Sequence, residues 1–199
     1  MRPAAVIRAV ALALAVVVPQ ILGWGLFKPR DVRPGGEAGV PCPAPNSPDD
    51  VVSNLLANYA SSVGLDCYLS TLDETFTFHP ETQDSLQAPD SVYVNWTKAV
   101  ESNDASLLAG NATFHQTFFD SMYATTVSSP GPPRTEVRFY AYHLKIKASQ
   151  LGQDSLFSGH ADLTIVQGAN TQWHIVNWQD RRDTSGQRTW GYLRRLYRF

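Results

Sequence analysis

Three stretches in the last third of the chain decide the class of fold: VRFYAYHLKIKA at 137–148, LFSGHADLTIVQ at 156–167 and WHIVNWQD at 173–180. Each has the length and the alternation of a β-strand, and turn-forming residues separate them. Consecutive long strands with short connections indicate an antiparallel meander. Two further strands are predicted, at 112–127 before the turn-forming SSPGPP segment and at 189–197 near the end of the chain.

The segment that precedes these strands is predicted to be mainly helical. The sequence SPDD at 47–50 is typical of a helix start, because Ser can cap the first turn and acidic side chains complement the helix dipole. Apolar residues then recur at helical spacing up to Gly64. Two more helices are predicted at 65–72 and 91–101, with a short strand at 75–79 between them. Three helices covering one face of an antiparallel sheet define an α+β class.

The order helix, helix, strand, helix and meander over residues 47–199 resembles the nuclear transport factor 2-like superfamily. The segment from Leu65 to Pro80 resembles a conserved stretch of ketosteroid isomerases in that superfamily. The sequences WHIVNWQD at 173–180 and TWGYLR at 189–194 resemble uncharacterised exported bacterial members. The resemblance implies a curved, cone-shaped (cystatin-like) sheet, a pocket lined by the inside of the cone, and export from a bacterial cell.

The same resemblance gives two candidate catalytic residues, His79 and Tyr59. His79 falls where the isomerases have their general base, and an imidazole suits proton transfer because it titrates near neutrality. The isomerase tyrosine that stabilises an oxyanion aligns near Leu56, and Tyr59 lies about one helical turn further along. The alternative for His79 is a strand-end histidine that is hydrogen-bonded to the backbone.

Other polar residues on the predicted strands give no metal or cofactor site. His143 shares a strand face with Lys145 and Lys147 and is predicted to be solvated, whereas His160 and Asp162 could lie on either face. The sequence has no HxH or HxxxH pair and no Gly-rich phosphate loop, so we expect neither a metal nor a cofactor. The tryptophans near the C-terminus are predicted to pack in the sheet.

The net charge of −2 is the sum of three unlike blocks. Residues 1–33 have five basic residues and one acid, residues 34–180 have five and sixteen, and residues 181–199 have six and one. The arginine-rich end could bind an anionic partner or could pair with the acidic body of the domain. Because its arginines do not form a one-sided stripe, pairing is the favoured interpretation and no nucleic-acid partner is expected.

The start of the chain carries an export signal. Residues 9–27 contain one strongly polar side chain, Gln20, and would be about 28 Å long as a helix, enough to cross a bilayer core. Residues 1–27 are therefore predicted to be either a cleaved signal peptide or a membrane anchor, and both alternatives stay open. A Pro/Gly-rich linker at 28–46 follows, and the domain occupies 47–199.

The two cysteines, Cys42 in the linker and Cys67 in the domain, could form a disulfide in an oxidising compartment. They could equally be two unrelated thiols, with Cys67 buried as a small apolar residue. The second interpretation is slightly favoured, since a sequence separation carries no distance.

Together these features predict an exported or membrane-tethered domain of the bacterial cell envelope, on its periplasmic or extracytoplasmic side. We expect it to bind a small ligand or to assemble with other proteins rather than to be an enzyme. The alternative is a small-molecule isomerase or lyase with His79 as general base. Expected partners are a small apolar ligand inside the cone, a second copy bound through the sheet, and the membrane through residues 9–27.

Overall fold

The computed structural model describes residues 42–89, 91–129, 133–148, 151, 155–184 and 188–198. The predicted hydrophobic helix at 9–27 and the linker up to residue 41 lie outside these ranges. The helices are α1 (Pro48–Asn58), α2 (Leu65–Ser70), α3 (Thr82–Gln87), α4 (Lys98–Asn111) and α5 (Trp190–Tyr197). The strands are β1 (Leu72–His79), β2 (Ala112–Ser129), β3 (Thr135–Ala148), β4 (Ser155–Gln167) and β5 (Trp173–Arg181). No helix within the described ranges is both long and apolar enough to cross a membrane.

The strands form one strongly curled sheet in the order β1-β5-β4-β3-β2. Strands β2 to β5 are the predicted antiparallel meander, and the α+β class is confirmed. The prediction of a wholly antiparallel sheet is wrong at one edge, where β1 pairs parallel with β5 and Phe78 lies opposite Trp178. A parallel pair needs a long connection, and here two helices and the strands β2, β3 and β4 lie between β1 and β5.

The predicted helix at 91–101 is wrong in its bounds. Residues 91–97 form turns, and Asn95 has a positive φ of 53°, which a helix cannot accommodate. Helix α4 begins only at Lys98 and runs to Asn111, where β2 follows directly. Val92 and Trp96 are buried, but they pack from the segment before the helix and not from the helix itself.

The predicted closing strand at 189–197 is also wrong, because this segment forms α5. Its apolar residues follow a helical spacing: Trp190, Leu193 and Tyr197 are buried together with Arg194, three or four residues apart, whereas residues 190 and 193 of a strand would point to opposite faces. The side chain of Thr189 caps the helix by accepting a hydrogen bond from the backbone N–H of Tyr192 at 3.1 Å.

The core lies on the concave side of the sheet. Alternate side chains of β3 and β4, such as Leu144, Ile146 and Leu163, point towards the helices and are fully buried. On the opposite face, His143 and its strand neighbours Lys145 and Lys147 are exposed, as predicted. One face of the sheet is therefore covered by the helices, and the other carries polar side chains.

A disulfide joins Cys42 to Cys67, with their Cα atoms 5.1 Å apart, so the favoured interpretation of two unrelated thiols is wrong. The end of the linker docks on the domain through two backbone carbonyls. Pro45 accepts a hydrogen bond from the N–H of Trp173, and Pro43 accepts one from the side chain of Asn54, both at 2.8 Å. These contacts bring Cys42 beside α2. A disulfide that closes a loop of this length typically raises the free energy of unfolding by about 3 kcal/mol.

Candidate functional site

A buried ion pair connects two helices on the concave side of the sheet. Glu101 of α4 accepts hydrogen bonds from Arg194 of α5, from Nε at 2.8 Å and from Nη2 at 3.0 Å. Both side chains are fully buried. The hydroxyl of Tyr68 and the indole N–H of Trp96 also donate to this carboxylate, the latter at 2.6 Å. Several donors therefore satisfy Glu101, as a buried carboxylate requires.

Aromatic rings surround the guanidinium of Arg194. Its central carbon lies 4.0 Å from the ring centre of Phe78, 4.3 Å from that of Trp178 and 5.6 Å from that of Trp190. The negative faces of such rings stabilise a cation. The ion pair and these rings occupy the inside of the curled sheet, which is where the resemblance implied a pocket.

Tyr59, one of the two predicted catalytic residues, belongs to this interior. Its side chain is 1% exposed, and its ring packs edge-on against Tyr68 and Trp190, with ring centres 5.2 and 4.7 Å away. Burial raises the pKa of the Tyr59 phenol well above its ordinary value. The hydroxyl is therefore protonated and could act only as a donor or as a neutral acceptor.

His79, the other predicted catalytic residue, lies at the end of β1 with its side chain exposed to solvent. It lines a small surface pocket of about 180 Å³ together with Phe78, Pro80 and Tyr93. Tyr59 does not line that pocket. The structure does not bring the two residues to one site, and their catalytic roles stay predictions.

A larger pocket opens between α4 and the end of α5, and we take it as the candidate site. It has a volume of about 320 Å³ and is lined by Ala99, Val100, Asn103, Asp104 and Arg198. Asp104 is 2% exposed, yet its Oδ1 has no hydrogen-bond partner in the part of the chain that the structure describes. A buried polar atom without a partner is costly, so it marks a position where a bound molecule would be stabilised.

The electrostatics of this pocket combine a neutral acid with a cation. Burial raises the pKa of the Asp104 carboxyl well above its ordinary value, and the charge of Glu101 raises it further. The charges of Arg194 and Arg198 act in the opposite direction. The guanidinium of Arg198 lies over the ring of Trp96, 5.1 Å from its centre. The pocket therefore presents a carboxyl that tends to keep its proton beside a positioned positive charge.

A second buried acid, Asp180 at the end of β5, fastens the start of α5 to the sheet. It accepts hydrogen bonds from the hydroxyl of Tyr142 at 2.7 Å and from the N–H of Gly191 at 2.6 Å. The Tyr142 oxygen accepts in turn from the N–H of Trp190 at 2.7 Å. Burial raises the pKa of Asp180 to about 7, although the Tyr142 and Gly191 hydrogen bonds and the charge of Arg194 lower it.

Three arginines of the segment 181–198 pair with acids of the body, which agrees with the favoured interpretation. Beside the pair of Arg194 with Glu101, Arg182 donates to Asp84 at 2.7 Å and Arg181 donates to Asp162 at 2.5 Å. Arg198, over the ring of Trp96, is the arginine that lines the candidate pocket.

The remaining candidates form surface ion pairs. His143 contacts Asp120, and Nε2 of His160 lies 2.9 Å from a carboxylate oxygen of Asp183. The described residues contain no group of three or more His, Cys, Asp or Glu side chains arranged to hold a metal ion.

Sequence analysis missed Asp104 and Arg198. The predicted helix ended before Asp104, and Arg198 followed a predicted strand. Once α4 begins at Lys98, Glu101, Asp104 and Leu108 fall on one face at a spacing of three and four residues, and that face is buried. Two acids on the apolar face of a helix are the signal that would have identified this region.

Comparisons with known proteins define the fold. No family model matches the chain, and no curated protein matches it. A nuclear transport factor 2-like superfamily protein from Salmonella enterica serovar Typhimurium has a TM-score of 0.51 and 11% identity, over 69% of this chain and 89% of that one. A ketosteroid isomerase-like protein from Erwinia carotovora atroseptica has a TM-score of 0.48 and 9% identity, over 68% and 93%. The first of these likenesses shows that the chain has the nuclear transport factor 2-like fold, as the resemblance predicted.

The buried ion pair gives a first prediction. Replacing Arg194 by Met should lower the free energy of unfolding by about 3–5 kcal/mol, because Glu101 is left buried without its counter-charge. Urea unfolding followed by tryptophan fluorescence measures the loss. A double variant with Glu101→Gln as well should be more stable than Arg194→Met alone, since it removes the stranded charge.

Arg195→Met is the matched control. Arg195 is the next residue on α5, is only partly buried and lies over Tyr192 at 4.7 Å, so its loss should cost less than about 1 kcal/mol. Equal losses for the Arg194 and Arg195 variants would contradict the role assigned to the buried pair.

Asp180 gives a second prediction, for the dependence of stability on pH. Its pKa is about 7 in the folded chain against 3.8 for an ordinary aspartate, so the folded state binds the extra proton between these values. The stabilisation that protonated Asp180 contributes is fully present below the pKa of the unfolded chain. It is lost as the pH rises through the pKa of the folded chain. Between about pH 5 and pH 7 the free energy of unfolding should fall by about 2 kcal/mol from this group.

Asp180→Asn removes that titration while keeping the shape of the side chain. The variant should be less stable than the parent at pH 5, and the difference should shrink as the pH rises to about 7. The pKa values of Asp104 and Asp84 are also raised by burial. The stability of both parent and variant should therefore keep some dependence on pH. Parallel stability curves for parent and variant would be the contrary result.

Proposed function

We propose that this chain is an exported or membrane-tethered domain that binds a small ligand in the pocket between α4 and the end of α5. The observation that carries this proposal is the buried carboxyl of Asp104 in the wall of the pocket, with an oxygen that has no partner among the described residues. A ligand that bonds to this oxygen removes the cost of leaving it unpaired, which is a source of both affinity and specificity.

Two features favour binding over catalysis by the predicted pair. The inside of the curled sheet is packed with the Glu101–Arg194 pair and its aromatic neighbours, so the predicted donor Tyr59 lies in the core. The predicted base His79 is exposed at the sheet edge. The pocket beside Asp104, in contrast, has a volume of about 320 Å³. Small-molecule sites have volumes of roughly 300–1,000 Å³, so this pocket is large enough for a small ligand.

Export is supported by two independent features of the chain. The hydrophobic stretch at 9–27 lies between basic residues and has the length of a bilayer-spanning segment. The disulfide between Cys42 and Cys67 is of a kind that persists in oxidising compartments and is rare in the cytosol. A location on the outer side of a bacterial membrane would account for both the hydrophobic stretch and the disulfide.

Blocking the pocket tests the binding proposal. Ala99 is exposed and lines the pocket, so Ala99→Phe should fill it without disturbing the core. A fragment library followed by ligand-observed NMR should yield compounds that bind the parent chain and lose binding in Ala99→Phe. At a concentration of about a hundred times the Kd, such a compound should stabilise the parent by about 2.7 kcal/mol.

Ser106→Phe is the matched control for this experiment, because Ser106 is also exposed on α4 but does not line the pocket. Compounds should bind this variant as they bind the parent. A library that yields no compound sensitive to Ala99→Phe would refute the pocket as a ligand site.

The export proposal has its own test. After expression in a bacterium, the full-length chain should fractionate with the cell envelope, and Cys42 and Cys67 should resist a maleimide reagent after unfolding in denaturant, because they are oxidised. A chain without residues 1–27 should stay in the cytosol with both thiols reactive. Recovery of the full-length chain in the cytosol with free thiols would contradict export.

A further inference from the structure

We propose that the ligand of the pocket between α4 and the end of α5 is a small carboxylate monoanion, bound by the guanidinium of Arg198 and hydrogen-bonded by the carboxyl of Asp104. This inference rests on the proposed function and names the chemical class of ligand that the same site takes.

Arg198 supplies the group that binds the anion. Its guanidinium lies against the face of Trp96, 5.1 Å from the ring centre, and the indole N–H of that tryptophan is itself held by Glu101 at 2.6 Å. The aromatic ring therefore orients the guanidinium. Nη1 of Arg198 is buried and has no hydrogen-bond partner among the described residues. A planar guanidinium with a free N–H matches a carboxylate in shape and in charge.

Asp104 supplies a donor and removes a competing negative charge. The groups that act on its carboxyl are Glu101 on its own helix, Tyr59 at the end of α1, and Arg194, Tyr197 and Arg198 from the segment 190–198. Glu101 and Arg194 neutralise each other in their ion pair. Because burial raises the pKa of Asp104 well above its ordinary value, its carboxyl tends to be neutral and carries an O–H. Among the described residues that line the pocket, Arg198 then carries the positive charge.

The remaining walls set the size of the ligand and the character of its other end. Ala99 and Val100 are apolar, and the exposed side chain of Asn103 lies at the rim. A volume of about 320 Å³ suits a compact molecule. A carboxylate attached to a short apolar or aromatic group fits this lining. A cationic ligand would be repelled by Arg198. An uncharged ligand would leave the guanidinium of Arg198 without a counter-charge in the pocket.

The test uses benzoate and benzamide as a pair of probes with the same shape and different charge, and phenyl phosphate as a second anion. The full-length chain is placed in lipid nanodiscs, and dissociation constants are measured by saturation-transfer NMR. Benzoate should bind at least about tenfold more tightly than benzamide, since a charge-assisted hydrogen bond contributes about 1.5–3 kcal/mol. Phenyl phosphate should bind more weakly than benzoate, because its second charge is not matched.

Variants separate the two roles. Arg198→Gln should weaken benzoate binding at least about tenfold. Arg188→Gln, which removes an exposed arginine that does not line the pocket, should leave it unchanged. Raising the pH should weaken binding to the parent as Asp104 loses its proton. Asp104→Asn keeps a donor that does not titrate, so benzoate should still bind and the pH dependence should disappear, a result that a purely structural role would not produce.

Equal affinity for benzoate and benzamide, or benzoate binding that survives Arg198→Gln, would overturn the assignment of the ligand class. If compounds sensitive to Ala99→Phe are found at the same time, the pocket remains a ligand site and only the class is wrong. If no probe binds and the library also yields nothing, the proposed function fails with it. Tighter binding of phenyl phosphate than of benzoate would replace the carboxylate by a phosphate ester and would likewise refute the proposal.

Discussion

The contact between Glu101 and Arg194 is the interaction on which the rest of the domain depends. A charge placed in the core must find its opposite there, because the cost of burying it alone exceeds the stability of most domains. The pair therefore holds α4 against α5 and fixes the rotation of both helices, while Tyr68 and Trp96 supply the remaining hydrogen bonds. The aromatic rings around the guanidinium then complete the inside of the curled sheet.

The candidate site follows from the same contact by helical spacing. Asp104 lies one turn beyond Glu101 on α4, and Arg198 lies one turn beyond Arg194 at the end of α5. The inner acid and arginine are paired and fully buried, whereas the outer two line a pocket. One carboxyl oxygen of Asp104 is buried with no hydrogen-bond partner in the described ranges, and the guanidinium of Arg198 lies over an aromatic ring. The helices α4 and α5 are thus joined by the pair of Glu101 and Arg194. One turn further along, Asp104 and Arg198 are placed to contact a ligand.

Two further constraints keep these helices in place. The disulfide and the docked carbonyls of Pro43 and Pro45 tie the end of the linker to α1, α2 and β5. Asp180 joins β5 to the first turn of α5 through Tyr142 and two backbone N–H groups. Both attachments act on elements that are distant in sequence, which is why a short C-terminal helix with only two turns can be fully ordered against the sheet.

By itself, the sequence determined the strand meander, the first helix with its cap and the α+β class, because these depend on periodicity and local propensity, while the fold was expected from a resemblance. Tertiary structure alone decided that β1 joins the sheet in parallel. It also decided that Cys42 meets Cys67 and that Asp104 lies beside Arg198. The spacing of Trp190, Leu193 and Tyr197 suits a helix better than a strand, and burying Arg194 against Glu101 stabilises the helix further. Pairings across ninety residues carry no local signal, since their energy arises only when both partners leave water together.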